Sequence, residues 1–304
     1  MNIVFMGSPD FAIPSLEKLH QSHHTIKAVV SNVDKRRGRG KETAPTPVKA
    51  KALELGLDVI EVEDLKSTSF EEQLKACEAD LFVVVAFRVL PTNILEIPKI
   101  GSVNLHASLL PKYRGAAPIH WAVMNGERET GCTIFFLDER VDTGNIITQR
   151  TLSISEDETT GEVYERLMNE GSDELLHAVN LIEKGAYELQ SQDDSLATPA
   201  PKLFNDNTRI VFEKSAKEVH NFIRGLNPFP SAWTTLDDKK VKIHRTKLFP
   251  EISVKPSTLK EHDGRLLVGT GSHALEVLEI QLPGKRKMTG VEYLNGYGAN
   301  GAFV

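Results

Sequence analysis

Three polar side chains in this sequence of 304 residues stand where they could act together. In Ile100-Gly101-Ser102-Val103-Asn104-Leu105-His106 the residues alternate with the period of a strand, so Val103 and Leu105 share one face and Asn104 and His106 the other. An amide that donates hydrogen bonds and an imidazole that carries a proton therefore project together at a strand end, where open parallel sheets gather functional side chains. Farther along, Asp138-Glu139-Arg140-Val141-Asp142-Thr143-Gly144 forms an acidic turn between two strand patterns, and a carboxylate held there could reach an imidazole on a neighbouring strand. Asp-Thr-Gly is a common turn sequence, so Asp142 gains weight only in company with Asn104 and His106. Hydrogen bonding and proton transfer are the chemistry of such a set.

The elements that must position these residues follow from periodicity. Ile3-Val4-Phe5-Met6, the turn Gly7-Ser8-Pro9-Asp10-Phe11, a helical spacing of Ile13, Leu16 and Leu19, and Ile26-Lys27-Ala28-Val29-Val30 make a βαβ unit. The turn lacks the G-x-G-x-x-G glycines that let a backbone approach a pyrophosphate, which argues against a dinucleotide site. Asp80-Leu81-Phe82-Val83-Val84-Val85-Ala86 reads as a central strand buried on both faces, with Phe87-Arg88-Val89-Leu90-Pro91 as the loop at its carboxyl end. Pro118 suits the first turn of a helix through Met124. Strands are expected over Thr130–Leu137 and Ile146–Gln149, then a helix from Thr159 interrupted at Gly171.

Around Ser191–Pro201 prolines and polar residues replace the periodicity, as in a linker. Beyond it come a helix from Ser215 to Arg224 and short alternating runs at 232–236, 240–245, 266–268 and 275–282, which suggest a small barrel. The expected class is α/β: a Rossmann-like, mostly parallel sheet domain over 1–189, a linker over 190–205, and a small OB-like β-barrel domain over 206–304.

Composition narrows the function. The net charge of -6 argues against a generally basic nucleic-acid binder, yet residues 1–205 carry -10 and residues 206–304 carry +4, so the second part could meet a polyanion. Asp34-Lys35-Arg36-Arg37-Gly38-Arg39-Gly40-Lys41-Glu42 reads as a mobile basic loop whose cations could close on phosphates. Cys77 and Cys132 sit in unrelated segments and suit core thiols better than a disulfide or zinc site. No apolar run approaches the roughly 20 residues of a membrane span, and the opening runs straight into a strand pattern, which reads as cytoplasmic.

With Asn104-Leu105-His106-Ala107-Ser108-Leu109-Leu110-Pro111 leading into Tyr113-Arg114-Gly115-Ala116-Ala117-Pro118, and Val141-Asp142-Thr143-Gly144 beyond, the chain resembles the folate-dependent formyltransferases over nearly its full length. Gly38-Arg39-Gly40-Lys41, ending in Pro45-Thr46-Pro47-Val48-Lys49, is similar to an insertion that engages tRNA in one branch of that family and is missing from its purine-pathway members. Ala200-Pro201-Lys202-Leu203, Leu226-Asn227-Pro228-Phe229-Pro230-Ser231-Ala232 and Gly284-Lys285-Arg286-Lys287-Met288 resemble that branch's barrel entry and closing motif. The family often has Tyr-Gly where Phe87-Arg88 stand, and commonly Gly in place of Arg140.

The resemblance implies transfer of the formyl group of 10-formyltetrahydrofolate, a co-substrate, to the amine of methionine on initiator tRNA. Amine attack on a formamide carbon builds an oxyanion, for which the Asn104 amide is the natural donor. His106 would share that role when protonated and relay the proton that leaves the attacking amine, while Asp142 would fix the imidazole tautomer. The resemblance further implies folate contacts from Ser108, Leu109, Leu110 and Pro111 together with Phe87, Arg88, Val89 and Leu90. It implies tRNA contacts from Arg36, Arg37, Arg39, Lys41, Lys202, Lys242, Arg245, Lys285, Arg286 and Lys287, no metal, no membrane and a monomer. Two alternatives stand beside it: a folate-dependent formyltransferase for a small amine such as a sugar nucleotide or glycinamide ribonucleotide, and a non-catalytic RNA-binding protein.

Overall fold

The computed structural model describes residues 1–37 and 42–304, the side chains of 35–37 and 42–43 excepted. Its contacts divide the chain into one unit of Met1–Gly115, Gly131–Leu152 and Tyr164–Pro199, and a second of Ala116–Thr130, Ser153–Val163 and Ala200–Val304.

Apolar runs too continuous for a half-solvated sheet build the centre of the first unit. Its strands are β1 (Asn2–Gly7), β2 (Thr25–Asn32), β3 (Val59–Val62), β4 (Leu81–Val85), β5 (Gly101–His106), β6 (Glu129–Phe136) and β7 (Ile146–Ser153). They lie in the order β7-β6-β5-β4-β1-β2-β3. β1 pairs in parallel with β2 and β4, β2 with β3, and β4 with β5, while β5 and β6 run antiparallel. All five residues of β4 are buried, as its unbroken apolar sequence requires. Helices over Ile13–His20, Pro47–Glu54 and Thr68–Ala76 carry the parallel crossovers, the latter two capped by the side chains of Thr46 and Ser67. A Cβ at Gly7 would come within 2.9 Å of the Ala12 Cβ, so this glycine serves close packing of strand against turn.

The helix expected to break at Gly171 runs unbroken over Thr160–Lys184. Gly171 is there for proximity: a Cβ on it would lie 3.2 Å from Leu105 Cδ1, so the missing side chain admits the β5 residue between Asn104 and His106. The flanks of the basic loop, Lys35–Arg37 and Glu42–Ala44, pair as a short antiparallel ladder, and residues 38–41 lie outside the described residues. Residues 190–199, whose composition reads as a spacer, belong to the first unit. Gln190 exchanges backbone hydrogen bonds of 2.8 and 2.9 Å with Ile146, and the Thr198 carbonyl accepts from Arg114 N–H at 2.9 Å.

The second unit contains β8 (Ala232–Leu236), β9 (Lys239–Phe249), β10 (Leu259–His262), β11 (Arg265–Gly269), β12 (Ala274–Gln281) and β13 (Met288–Thr289). The sheet is antiparallel in the order β8-β9-β12-β11-β10, with β13 on β12. Residues 301–304 join its two edges. The Leu259 N–H donates to Gly301 O at 3.1 Å and the Phe303 N–H to Ser257 O at 2.9 Å, while Val304 exchanges bonds of 2.9 and 3.2 Å with Thr235. This main-chain seam removes the free edges and closes the sheet. A helix over Ala216–Gly225, started by a Ser215–Glu218 capping box, packs Val219 and Ile223 into the core with Ile243, Leu275, Val277 and Phe303. Among the described residues no helix is long and apolar enough to cross a membrane.

Two outcomes follow from burial. Phe303 is 2% exposed and anchors the seam, so Phe303→Ala should cost about 3 kcal/mol or more in chemical denaturation; an unchanged midpoint would remove the seam from the stability of the second unit. Burial pushes the Cys132 thiol up to about 12, so at pH 8 a thiol reagent should modify half-buried Cys77 first and Cys132 only on unfolding. Equal native rates at the two thiols would contradict this.

Candidate active site

Asn104 and His106 emerge on one face at the carboxyl end of β5, one strand from the β1/β4 position where strand order reverses. The Asn104 Nδ2 donates to Val84 O at 3.1 Å on the neighbouring strand, which orients the amide and leaves its second N–H available. His106 is 6% exposed. Its Nε2 lies 2.9 Å from Tyr113 O, an acceptor only, so Nε2 carries a proton. Its Nδ1 lies 3.7 Å from Asp142 Oδ2.

The turn around this imidazole is held by its own polar groups. Ser108 Oγ donates to Lys112 O at 2.6 Å, Thr133 Oγ1 donates to Ser108 O at 2.7 Å and accepts from Leu110 N–H at 3.1 Å, and Gln149 donates to Leu110 O at 2.9 Å. The Tyr113 N–H is taken by Thr198 Oγ1 at 2.9 Å. Tyr113 and Asp142 both adopt positive φ, 62° and 57°, in the region where a non-glycine residue is strained. That strain aims the Tyr113 carbonyl at His106 and the Asp142 carboxylate at the Gly115 N–H, 2.8 Å away.

Gln192 secures the acidic turn. Its Nε2 donates to Asp142 O at 3.0 Å and Gly144 O at 2.8 Å, and its Oε1 accepts from Arg114 Nε and Nη2 at 3.1 and 2.7 Å. Arg114 also pairs with Asp194 at 2.7 Å. A Cβ at Gly144 would collide with the Phe136 carbonyl, which explains the glycine of this turn.

A cavity of about 80 Å³ lies between these elements, lined by Asn104, Asp142, Arg140 and the loop Phe87-Arg88-Val89-Leu90. The volume suits a ring or reacting group, well short of the roughly 300–1,000 Å³ of a whole-ligand pocket. Arg88 donates to the carbonyls of Glu63 and Val62, each at 2.8 Å, and keeps its Nε–H buried without a protein partner. Burial lowers the pKa of this guanidinium, which stays charged at ordinary pH.

Of the folate residues expected from the sequence, Phe87, Arg88, Val89 and Leu90 line the cavity with Asn104 and Asp142, whereas Ser108, Leu109, Leu110 and Pro111 are not among its lining residues. The carbonyls of Ser108, Leu109 and Leu110 and the Leu110 N–H are engaged internally, and Leu110 packs against Phe135 and Ile146. This segment therefore buttresses His106. The sequence reading missed the Tyr113 carbonyl, the Gly115 N–H and Gln192. Backbone partners leave no mark in residue type, and Gln192 lies in a stretch whose composition resembles a spacer.

Arg39 and Lys41 lie outside the described residues, as do the side chains of Arg36 and Arg37. In the second unit, Arg245 pairs with Glu162 at 2.8 Å and Arg286 with Glu292 at 2.7 Å. Lys285 and Lys287 are exposed, and Lys202 and Lys242 line a second cavity.

An amide and an imidazole thus share one strand end on a mostly parallel sheet, and the imidazole faces a turn carboxylate. The family model described as formyl transferase matches residues 1–179 and that described as formyl transferase, C-terminal domain, matches residues 202–298, and the chain belongs to the formyl transferase family. Within that family it is 45% identical over 304 residues to the methionyl-tRNA formyltransferase of Chlorobium luteolum, covering 98% of this chain and 97% of the relative. It is 41% identical over 299 residues to the methionyl-tRNA formyltransferase of Clostridioides difficile, covering 97% of each. The fold is shared with the N-formyltransferase of Helicobacter canadensis, solved with folinic acid and dTDP-3-aminofucose, at a TM-score of 0.69 and 23% identity over 90% of this chain and 98% of that one.

Gln192→Ala releases both carbonyls of the Asp142 turn without touching a reacting group. Turnover should fall between about 10- and 10²-fold, the scale of a misplaced catalytic group, with the protein still folded. Wild-type turnover in this variant would show that the turn holds itself.

Proposed function

We propose that this protein transfers the formyl group of 10-formyltetrahydrofolate to the amine of methionyl initiator tRNA, acting as a monomer in the cytoplasm. The observation that carries the reading is the gathering of Asn104 and Asp142 with the Phe87–Leu90 loop around one cavity, beside the buried His106.

The neutral amine attacks the formyl carbon, a C–N bond forms, and the carbonyl electrons move onto oxygen. The free Asn104 N–H, its amide already oriented by Val84, donates to that oxyanion. Because the Nε2–H of His106 is committed to Tyr113 O, Nδ1 is the nitrogen that exchanges protons. It takes one from the new ammonium, and the Asp142 carboxylate stabilises the resulting imidazolium. Collapse of the intermediate breaks the bond to N10 of the folate, which leaves with the proton held at Nδ1. Formyl-methionyl-tRNA and tetrahydrofolate result, with protons balanced.

Tyr113, rather than Asp142, sets the tautomer in this scheme, and Asp142 acts through charge. The Phe87–Leu90 wall and the partnerless Arg88 Nε–H would receive the folate ring. The basic loop at 34–42 and Lys202, Lys242, Lys285 and Lys287, which form no ion pair among the described residues, would meet tRNA phosphates, with Arg245 and Arg286 contributing less because each already faces a carboxylate.

A formylation assay with charged initiator tRNA tests the reading. His106→Ala and Asp142→Asn should each reduce single-turnover rates by about 10² or more, and Asn104→Ala by about 10²–10³, in folded protein. Product from the wild type with a small amine but none with methionyl-tRNA would transfer the site to another substrate. Near-normal rates in any of the three variants would cancel that residue's role.

A further inference from the structure

The second unit holds a cavity of about 380 Å³, within the roughly 300–1,000 Å³ range of small-ligand sites. Aromatic rings form its wall. Phe204 and Phe229 remain 61% and 77% exposed there, although the unit has an extensive apolar core that could have taken such side chains. Two large rings left in water around one concavity mark a surface with a use. Trp233 completes the wall, its indole N–H donating to Asn205 O at 2.9 Å and Lys240 Nζ lying 4.2 Å from its ring centroid. His120 lies beside them, held by Phe229 O at 3.0 Å, and burial lowers its pKa.

The remaining lining side chains with charge are Lys202, Lys240 and Lys242. Among the described residues no carboxylate lines this cavity, and none pairs with any of these three lysines. Lys240 donates to Asn205 Oδ1, while Lys202 and Lys242 face no carboxylate among the described residues; an apolar peptide side chain would have no use for these ammonium groups, and an acidic peptide none for the rings. Aromatic faces within a positive rim match a ligand that is planar, aromatic and anionic. A nucleotide has all three properties, and stacking on aromatic rings is how single-stranded bases are held without sequence preference.

We propose that this cavity receives one unpaired nucleotide of the RNA substrate, its base against Phe204, Phe229 and Trp233 and its phosphate on Lys202 and Lys242. The inference rests on the reading that the substrate is a tRNA. It adds that the second unit grips an unstacked base as well as phosphates.

The chain has two tryptophans, Trp121 and Trp233, so full-length Trp121→Phe protein leaves Trp233 as the only reporter. A single-stranded RNA trinucleotide should quench its fluorescence saturably, whereas ribose 5-phosphate, which has no base, should not. Adding Phe204→Ala and Phe229→Ala should weaken the trinucleotide about 10-fold or more, the scale of lost base stacking. Both side chains are exposed, and an unchanged thermal midpoint would confirm that the variant folds. In the otherwise native chain the same pair should raise KM for methionyl-tRNA about 10-fold and leave KM for the formyl donor unmoved. Equal quenching by ribose 5-phosphate, no quenching by the trinucleotide, or an unmoved KM for the tRNA would each overturn the proposal. A wild-type enzyme that formylates no charged tRNA would instead defeat the substrate reading, and the trinucleotide titration distinguishes the two failures.

Discussion

A buried N–H without an acceptor is costly, and in this protein the hydrogen bond from His106 Nε2–H to the Tyr113 carbonyl is the condition on which the site depends. For that carbonyl to be aimed at the ring, Tyr113 must hold a left-handed backbone. For Tyr113 to stay there, its N–H needs Thr198 and the preceding turn needs Thr133, Ser108 and Gln149. With Nε2 occupied, the second nitrogen faces Asp142, and the carboxylate is kept in range by Gly115 and by Gln192. The result is a buried ring supported mainly by backbone and neutral side chains.

The same logic explains why a segment of linker-like composition is ordered. Residues 190–199 carry few apolar groups, but they bring Gln192 and Thr198 to carbonyls and N–H groups that would otherwise be unsatisfied beside a buried ring. Their binding energy is polar and local, so its loss would disturb the geometry of the site more than the core of the sheet. The uninterrupted helix over Thr160–Lys184 acts from the other side, where Gly171 lets Leu105 seat closely and so sets β5.

Charge is sorted differently in the second unit. Arg245 and Arg286 are committed to carboxylates, whereas among the described residues the lysines around the aromatic cavity are not. Net charge per domain, which pointed to a polyanion, therefore overstates some cations and says nothing of where the available ones converge. Main-chain bonds from residues 301–304 close the sheet on which they are mounted, with Phe303 buried beneath them.

Period-two and period-3.6 patterns were enough to read the opening βαβ unit, the central strand β4 and the shared face of Asn104 and His106, because burial on a strand or helix is written directly into residue spacing, whereas the strand Val59–Val62 and the crossover helix Thr68–Ala76 were not read. The missing glycines after β1 likewise argued against a dinucleotide, and the close packing that Gly7 allows against Ala12 was seen only in the fold. Short polar strands such as Leu259–His262 left too little pattern to read. Gly171 was misread as a break because a glycine's contact with another element looks, in sequence, like a loss of helix propensity. The pairing of His106 with Tyr113 O, the hold of Gln192 on the Asp142 turn and the convergence of Phe204, Phe229 and Trp233 were settled only in three dimensions. Each joins a carbonyl, a turn or an exposed ring to a partner whose position depends on the folded backbone, and residue type alone does not encode that position.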